Sequence, residues 1–135
     1  MKRISTSIKV LGLLALIVAA FAFSSYRSNT DTMPDKVLRH VVLFKFKEGT
    51  DPARIEASEK AFAALPAKIP EVRGFEWGMN NSPEGLDKGL THCYLITFNS
   101  EEDRTTYLPH PDHQAFVKTL DGIIDDVVVV DYWTK

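Results

Sequence analysis

Four histidines carry most of the chemistry this chain can offer, and two of them fall in one short phrase, Tyr107-Leu-Pro-His110-Pro-Asp-His113. An imidazole titrates near neutral pH, so it can take or give a proton under ordinary conditions. Tyr107, His110 and His113 therefore mark the prime candidate site. The plainer alternative makes Tyr107 and His113 a structural hydrogen bond across a helix break, with His110 a turn or cap residue before Pro111.

The other two histidines repeat a pattern. Arg39-His40-Val-Val-Leu-Phe-Lys-Phe46 and Thr91-His92-Cys-Tyr-Leu-Ile-Thr-Phe98 both run from His through five residues to Phe, which predicts two equivalent strands. Side chains alternate along a strand, so His40, Val42, Phe44 and Phe46 share one face, as do His92, Tyr94, Ile96 and Phe98. Each histidine opens an apolar face, either as a core group satisfied by the backbone or as the lining of a pocket.

Metal binding is a third use for such residues. His110 and His113 are three apart beside Asp112, but zinc helices typically space their histidines four apart with a glutamate between, and Pro111 imposes another geometry. No metal and no cofactor is expected. A Gly-rich phosphate loop and a Gly-x-Ser-x-Gly elbow are both missing from the sequence, and Cys93 lies mid-strand, which speaks against nucleotide use and covalent catalysis.

The elements that must position these groups follow from local patterns. Glu48-Gly-Thr-Asp-Pro52 reads as a turn and helix start, with Thr50 or Asp51 as cap, and the helix runs to about Leu65. Ile55, Phe62 and Ile69 form its apolar stripe. Pro66 and Pro70 end it, and the alternation of Phe75, Trp77 and Met79 predicts a half-buried strand. Ser100 with Asp103 resembles a capping box before a short acidic helix that stops at Pro109. Pro111 opens another helix, with Phe116, Val117 and Leu120 as its apolar positions. The β-branched run Val127 to Val130 predicts a last strand apolar on both sides. Trp77, Trp133 and Tyr132 read as core or dimer contacts.

The order strand, helix, strand, strand, helices, strand is the βαββαβ plan: an α+β, ferredoxin-like fold with an extra short helix and a four-stranded antiparallel sheet. Helices on one side leave the other face bare, yet Val41 and Leu43 oppose Val42 and Phe44. A second copy is the simplest cover, so a homodimer packed sheet against sheet is expected.

Composition bounds the rest. The 135 residues suit one domain, expected over residues 36–135. With 16 basic and 18 acidic residues the chain has no electrostatic footprint for nucleic acid. Lys2, Arg3 and Lys9 precede 14 mostly apolar residues, Val10 to Phe23, followed by polar ones. This is the layout of an export signal over residues 1–22, too short for the roughly 20 residues of a spanning helix, with Ala20-Phe-Ala22 offering a cleavage site. Export to the periplasm or beyond is expected, with an uncleaved N-terminal anchor as the alternative and residues 23–35 as a flexible lead-in. Cleavage removes three basic and no acidic residues, leaving 13 against 18. With a single cysteine no internal disulfide can form.

His40 heading an apolar strand, Trp77-Gly78, His92 heading another strand and Tyr107-Leu-Pro-His110-Pro-Asp-His113-Gln-Ala-Phe116 together resemble the stress-responsive dimeric α/β-barrel (Dabb) family over about residues 36–135. The resemblance implies ferredoxin-like homodimers whose two sheets form a barrel. One plant member is a polyketide cyclase acting by intramolecular aldol condensation, and likeness to it implies His113 as general base, Tyr107 as its helper and His40 and His92 as pocket lining. Phe62 stands where that enzyme has a pocket tyrosine, and His110 joins the ligand-binding candidates. The chemistry suits the residue types: removing a proton alpha to a carbonyl needs a base poised near neutral pH, and the enolate oxygen needs a donor. Two readings result. One is an exported dimer that binds a small hydrophobic or aromatic carbonyl compound, in a stress response. The other is a cofactor-free lyase or cyclase using the His113 and Tyr107 pair.

Overall fold

A computed structural model describes residues 35–135. The expected signal or anchor, residues 1–22, lies outside the described residues, as does all but the last residue of the lead-in.

Four strands, β1 (Leu38–Phe46), β2 (Gly74–Met79), β3 (His92–Phe98) and β4 (Ile124–Trp133), form one sheet in the order β2-β3-β1-β4. Every neighbouring pair is antiparallel. The first crossover is α1 (Pro52–Ala63) with a 3-10 turn at Leu65–Ala67, and the second is split into α2 (Glu101–Tyr107) and α3 (Pro111–Thr119). This is the expected ferredoxin-like plan with its extra short helix.

The helices start where short side chains can satisfy free backbone N–H groups. Asp51 accepts from Ala53 N at 2.9 Å and Pro52 takes the first turn, where its missing N–H does no harm. Ser100 accepts from Asp103 N at 3.0 Å, while the Asp103 carboxylate reaches back to Asn99 N at 3.1 Å, one residue before the reciprocal position of a standard capping box. His110 caps α3, its Nδ1 accepting from Asp112 N at 3.2 Å.

Period-two alternation sends the even residues of β1 and β3 toward the helices. Leu38, Val42, Phe44, Tyr94, Ile96 and Phe98 meet Phe62 of α1, Tyr107 of α2 and Phe116 of α3 in one core. Phe62 is its hub, 4.1 Å from Phe116 and 4.5 Å from Tyr94 between ring centroids. Two rungs of the sheet matter for function. His40 faces Asp131 on β4 and Ile96 on β3, and four residues along β1, about 13 Å away, Phe44 faces Val127 and His92.

The odd residues of β1 and β3, among them Val41, Leu43, Cys93 and Leu95, make the opposite face together with the even residues Val128, Val130 and Tyr132 of β4, and this face carries no helix. The last strand was expected to be covered on both sides. In the single chain Val127 to Val130 are all exposed, because the second crossover stops short of this edge on one face and nothing in the described chain lies on the other.

Candidate active site

The two short helices of the second crossover meet at Pro109, and under this break lies a cavity of about 350 Å³. Its walls are apolar, with Val42, Phe44, Phe62, Phe116, Val127 and Val129 among them, while His40, Tyr107, His113 and Asp131 supply its polar groups. Four of the six candidate residues thus come together: His113, Tyr107, His40 and Phe62.

His113 is half-buried, and its Nδ1 donates to the Leu108 carbonyl at 2.8 Å. That bond fixes the tautomer, leaving the Nε2 lone pair without a partner among the described residues. Burial holds the His113 pKa below the ordinary histidine value, the Leu108 carbonyl opposes this, and the like charges of His40 and His110 add to the lowering. The group is a neutral imidazole with a free nitrogen, which is the form a base needs.

Tyr107 is 1% exposed, its ring 4.4 Å from that of His113 and 6.2 Å from that of His40. The structural bond between Tyr107 and His113 that the plainer alternative requires is not formed. The Tyr107 hydroxyl is buried with no partner among the described residues, and the His113 Nδ1–H goes to the Leu108 carbonyl instead. Burial also pushes the phenol pKa well above its usual value, so Tyr107 stays protonated and able to donate.

His40 is 6% exposed and its Nδ1 lies 2.6 Å from Asp131 Oδ1. The second carboxylate oxygen of Asp131 accepts from Arg104 Nη1, also at 2.6 Å. Neither Asp131 nor Arg104 was singled out from the sequence. A signal was available, however: on β4, Val127, Val129 and Asp131 share one parity, and the antiparallel neighbour of Asp131 on β1 is His40.

The remaining two candidates lie elsewhere. His92 sits at the other rung, buried, with Nδ1 2.8 Å from Thr91 Oγ1 and Nε2 3.0 Å from Glu59 Oε1 on α1. Phe46 meets it edge-on at 4.8 Å and Trp77 stacks beside it at 6.4 Å. His110 serves as the cap of α3 and does not line the cavity. Among the described residues no three His, Cys, Asp or Glu side chains gather in a way that could hold a metal ion, and no helix is long and apolar enough to cross a membrane.

An antiparallel four-stranded sheet with helices on one face and a polar-headed cavity under its second crossover defines a ferredoxin-like domain. Residues 38–134 match the stress responsive A/B barrel domain (Dabb), and the chain belongs to that family. It is 39% identical over 95 residues to the stress-response A/B barrel domain-containing protein HS1 of Arabidopsis thaliana, covering 70% of this chain and 87% of that one. Identity to olivetolic acid cyclase of Cannabis sativa is 27% over 95 residues, covering 70% and 94%. Among solved structures, hydroxynitrile lyase from Passiflora edulis superposes with a TM-score of 0.70 at 26% identity, covering 76% of this chain and 96% of that one. A dimeric ferredoxin-like protein from Bacteroides fragilis gives a TM-score of 0.59 at 29% identity, covering 71% and 94%.

Proposed function

We propose that this Dabb protein is an exported homodimer that takes a small apolar carbonyl compound into the cavity under α2 and α3 and acts on it by cofactor-free proton transfer. His113 is the base and Tyr107 the donor. The observation that carries this reading is the pairing, on one apolar cavity, of an imidazole with a free Nε2 and a phenol whose buried hydroxyl has no partner. A ligand carbonyl satisfies the Tyr107 hydroxyl. An adjacent C–H or O–H delivers its proton to His113 Nε2, and the phenol then stabilises the resulting oxyanion in a low-dielectric site. Two relatives bear the names of a cyclase and a lyase, which supports chemistry at a carbonyl carbon without identifying the substrate.

The dimer reading rests on the bare apolar face of the sheet and on the dimeric relative. Export rests on the N-terminal pattern alone, and cell fractionation with N-terminal sequencing of the mature protein tests it. The same pattern favours a second reading, a carrier that binds without turnover, since polyketide chains are built on carriers in the cytoplasm and an exported domain meets other compounds. His113→Ala separates the two. With a panel of β-keto and aromatic carbonyl compounds, loss of turnover with binding retained supports the enzyme. Turnover that survives the substitution refutes it, and binding without any wild-type turnover leaves the carrier.

A further inference from the structure

The two cavity histidines are held alike. Each has its Nδ1 tied to an oxygen of the protein, His113 to the Leu108 carbonyl and His40 to Asp131 Oδ1. The two oxygens differ in what they can enforce. A backbone carbonyl is fixed as an acceptor, whereas a side chain at position 131 acts as acceptor or donor according to its chemistry and its other partner. Arg104 is that other partner, and a guanidinium can only donate.

We infer that Asp131, itself held by Arg104, sets the tautomer of His40, keeping the hydrogen on Nδ1 so that Nε2 faces the cavity as an acceptor. Asp131 is thus a positioning residue. The inference rests on the proposed function only in giving the cavity a ligand. An ionised carboxylate with one oxygen against Arg104 and the other against His40 accepts at both, so the proton in the 2.6 Å contact belongs to His40. The cavity then presents two imidazole acceptors, His40 Nε2 and His113 Nε2, flanking the ring of Tyr107. Such a head group favours a ligand that brings hydroxyl hydrogens of its own, a phenol or the enol form of a dicarbonyl, over one that can only accept.

Asp131→Asn tests this with almost no change in shape. Arg104 forces the amide oxygen toward itself, which turns the amide NH2 toward His40 and drives the histidine hydrogen to Nε2. In the double variant Arg104→Gln, Asp131→Asn the guanidinium is gone and the amide is free to offer its oxygen to His40 again. The readout is the pair of His40 imidazole 15N shifts at about pH 8, where imidazole is ordinarily neutral, together with the Kd ratio of phenol to acetophenone. The expected result is Nδ1–H in the wild type, Nε2–H in Asp131→Asn, and return toward Nδ1–H in the double variant. The preference for phenol should shift by about tenfold toward acetophenone in the single variant. His40 found with Nε2–H in the wild type, or unchanged in Asp131→Asn, overturns the inference. So does a tautomer that changes without any change in ligand preference. Should Asp131→Asn fail to fold, Arg104→Gln and Asp131→Glu replace it: the first should leave Nδ1–H in place, the second should keep phenol preferred, and Nε2–H in either overturns the inference. None of these readouts requires turnover, so failure of the catalytic reading, judged by His113→Ala, remains separate.

Discussion

His40 and His92 lie near the starts of matching strands, face the same layer of helices, are equally buried and each meet a carboxylate, yet one lines the cavity under the second crossover and the other is covered by α1. The difference lies in what covers them. Over His92 stands the 12-residue α1, which brings Glu59 within 3.0 Å while the rings of Phe46 and Trp77 close the sides. Over His40 the crossover is broken at Pro109 into two short helices, and its neighbour β4 is an edge strand. A proline that interrupts the helical layer leaves space where a continuous helix would have filled it. The same histidine-carboxylate pair thus lies under a continuous helix at one end of the sheet and beside the cavity under a broken crossover at the other.

Substitutions at the two ends should separate accordingly. The largest effect belongs to the open end: His113→Ala should lower turnover by about 10²- to 10⁴-fold, as expected for loss of a general base, with little change in thermal stability. At the closed end Glu59→Ala should cost about 2 kcal/mol of stability in denaturant titration, because it strands the buried His92 Nε2, and should leave ligand binding intact. Tyr107→Phe should keep the protein as stable or make it about 1 kcal/mol more so, since the hydroxyl it removes is buried without a partner, while weakening binding of carbonyl ligands. A Glu59→Ala variant that lost ligand binding while folded would break the contrast.

The smallest effect is one of pH. Burial depresses His113, so the folded protein takes up that proton less readily than the unfolded chain. The stability this group contributes is present above the ordinary value of 6.5 and is lost as pH falls through the depressed folded value. Melting temperatures followed downward from pH 6.5 should show a decline that is shallower in His113→Gln.

The sequence made legible those features whose causes are local. Asp51 before Pro52, Pro109 before His110 and the alternation of β1 and β3 act within a few residues, and each lies where the pattern placed it. What escaped depends on contacts between distant segments. His40 and Asp131 are 91 residues apart and His92 and Glu59 are 33 apart. The spacing of His110 and His113 suggests kinship, but the Nδ1 of one points to the start of α3 and that of the other back to Leu108. Tyr107 and His113 lie with their rings 4.4 Å apart and no hydrogen bond between them, an outcome decided by packing that residue types alone do not give.

The single thiol lies on the bare face of the sheet, exposed at the second residue of β3. Under a second copy of the chain Cys93 becomes a reporter of association, needing no label or engineered site. Its rate of reaction with a thiol reagent then follows the fraction of free subunits, rising as the protein is diluted, and an oxidant reaches it only by way of dissociation. Assembly would then also be the shield that keeps the lone sulfur reduced.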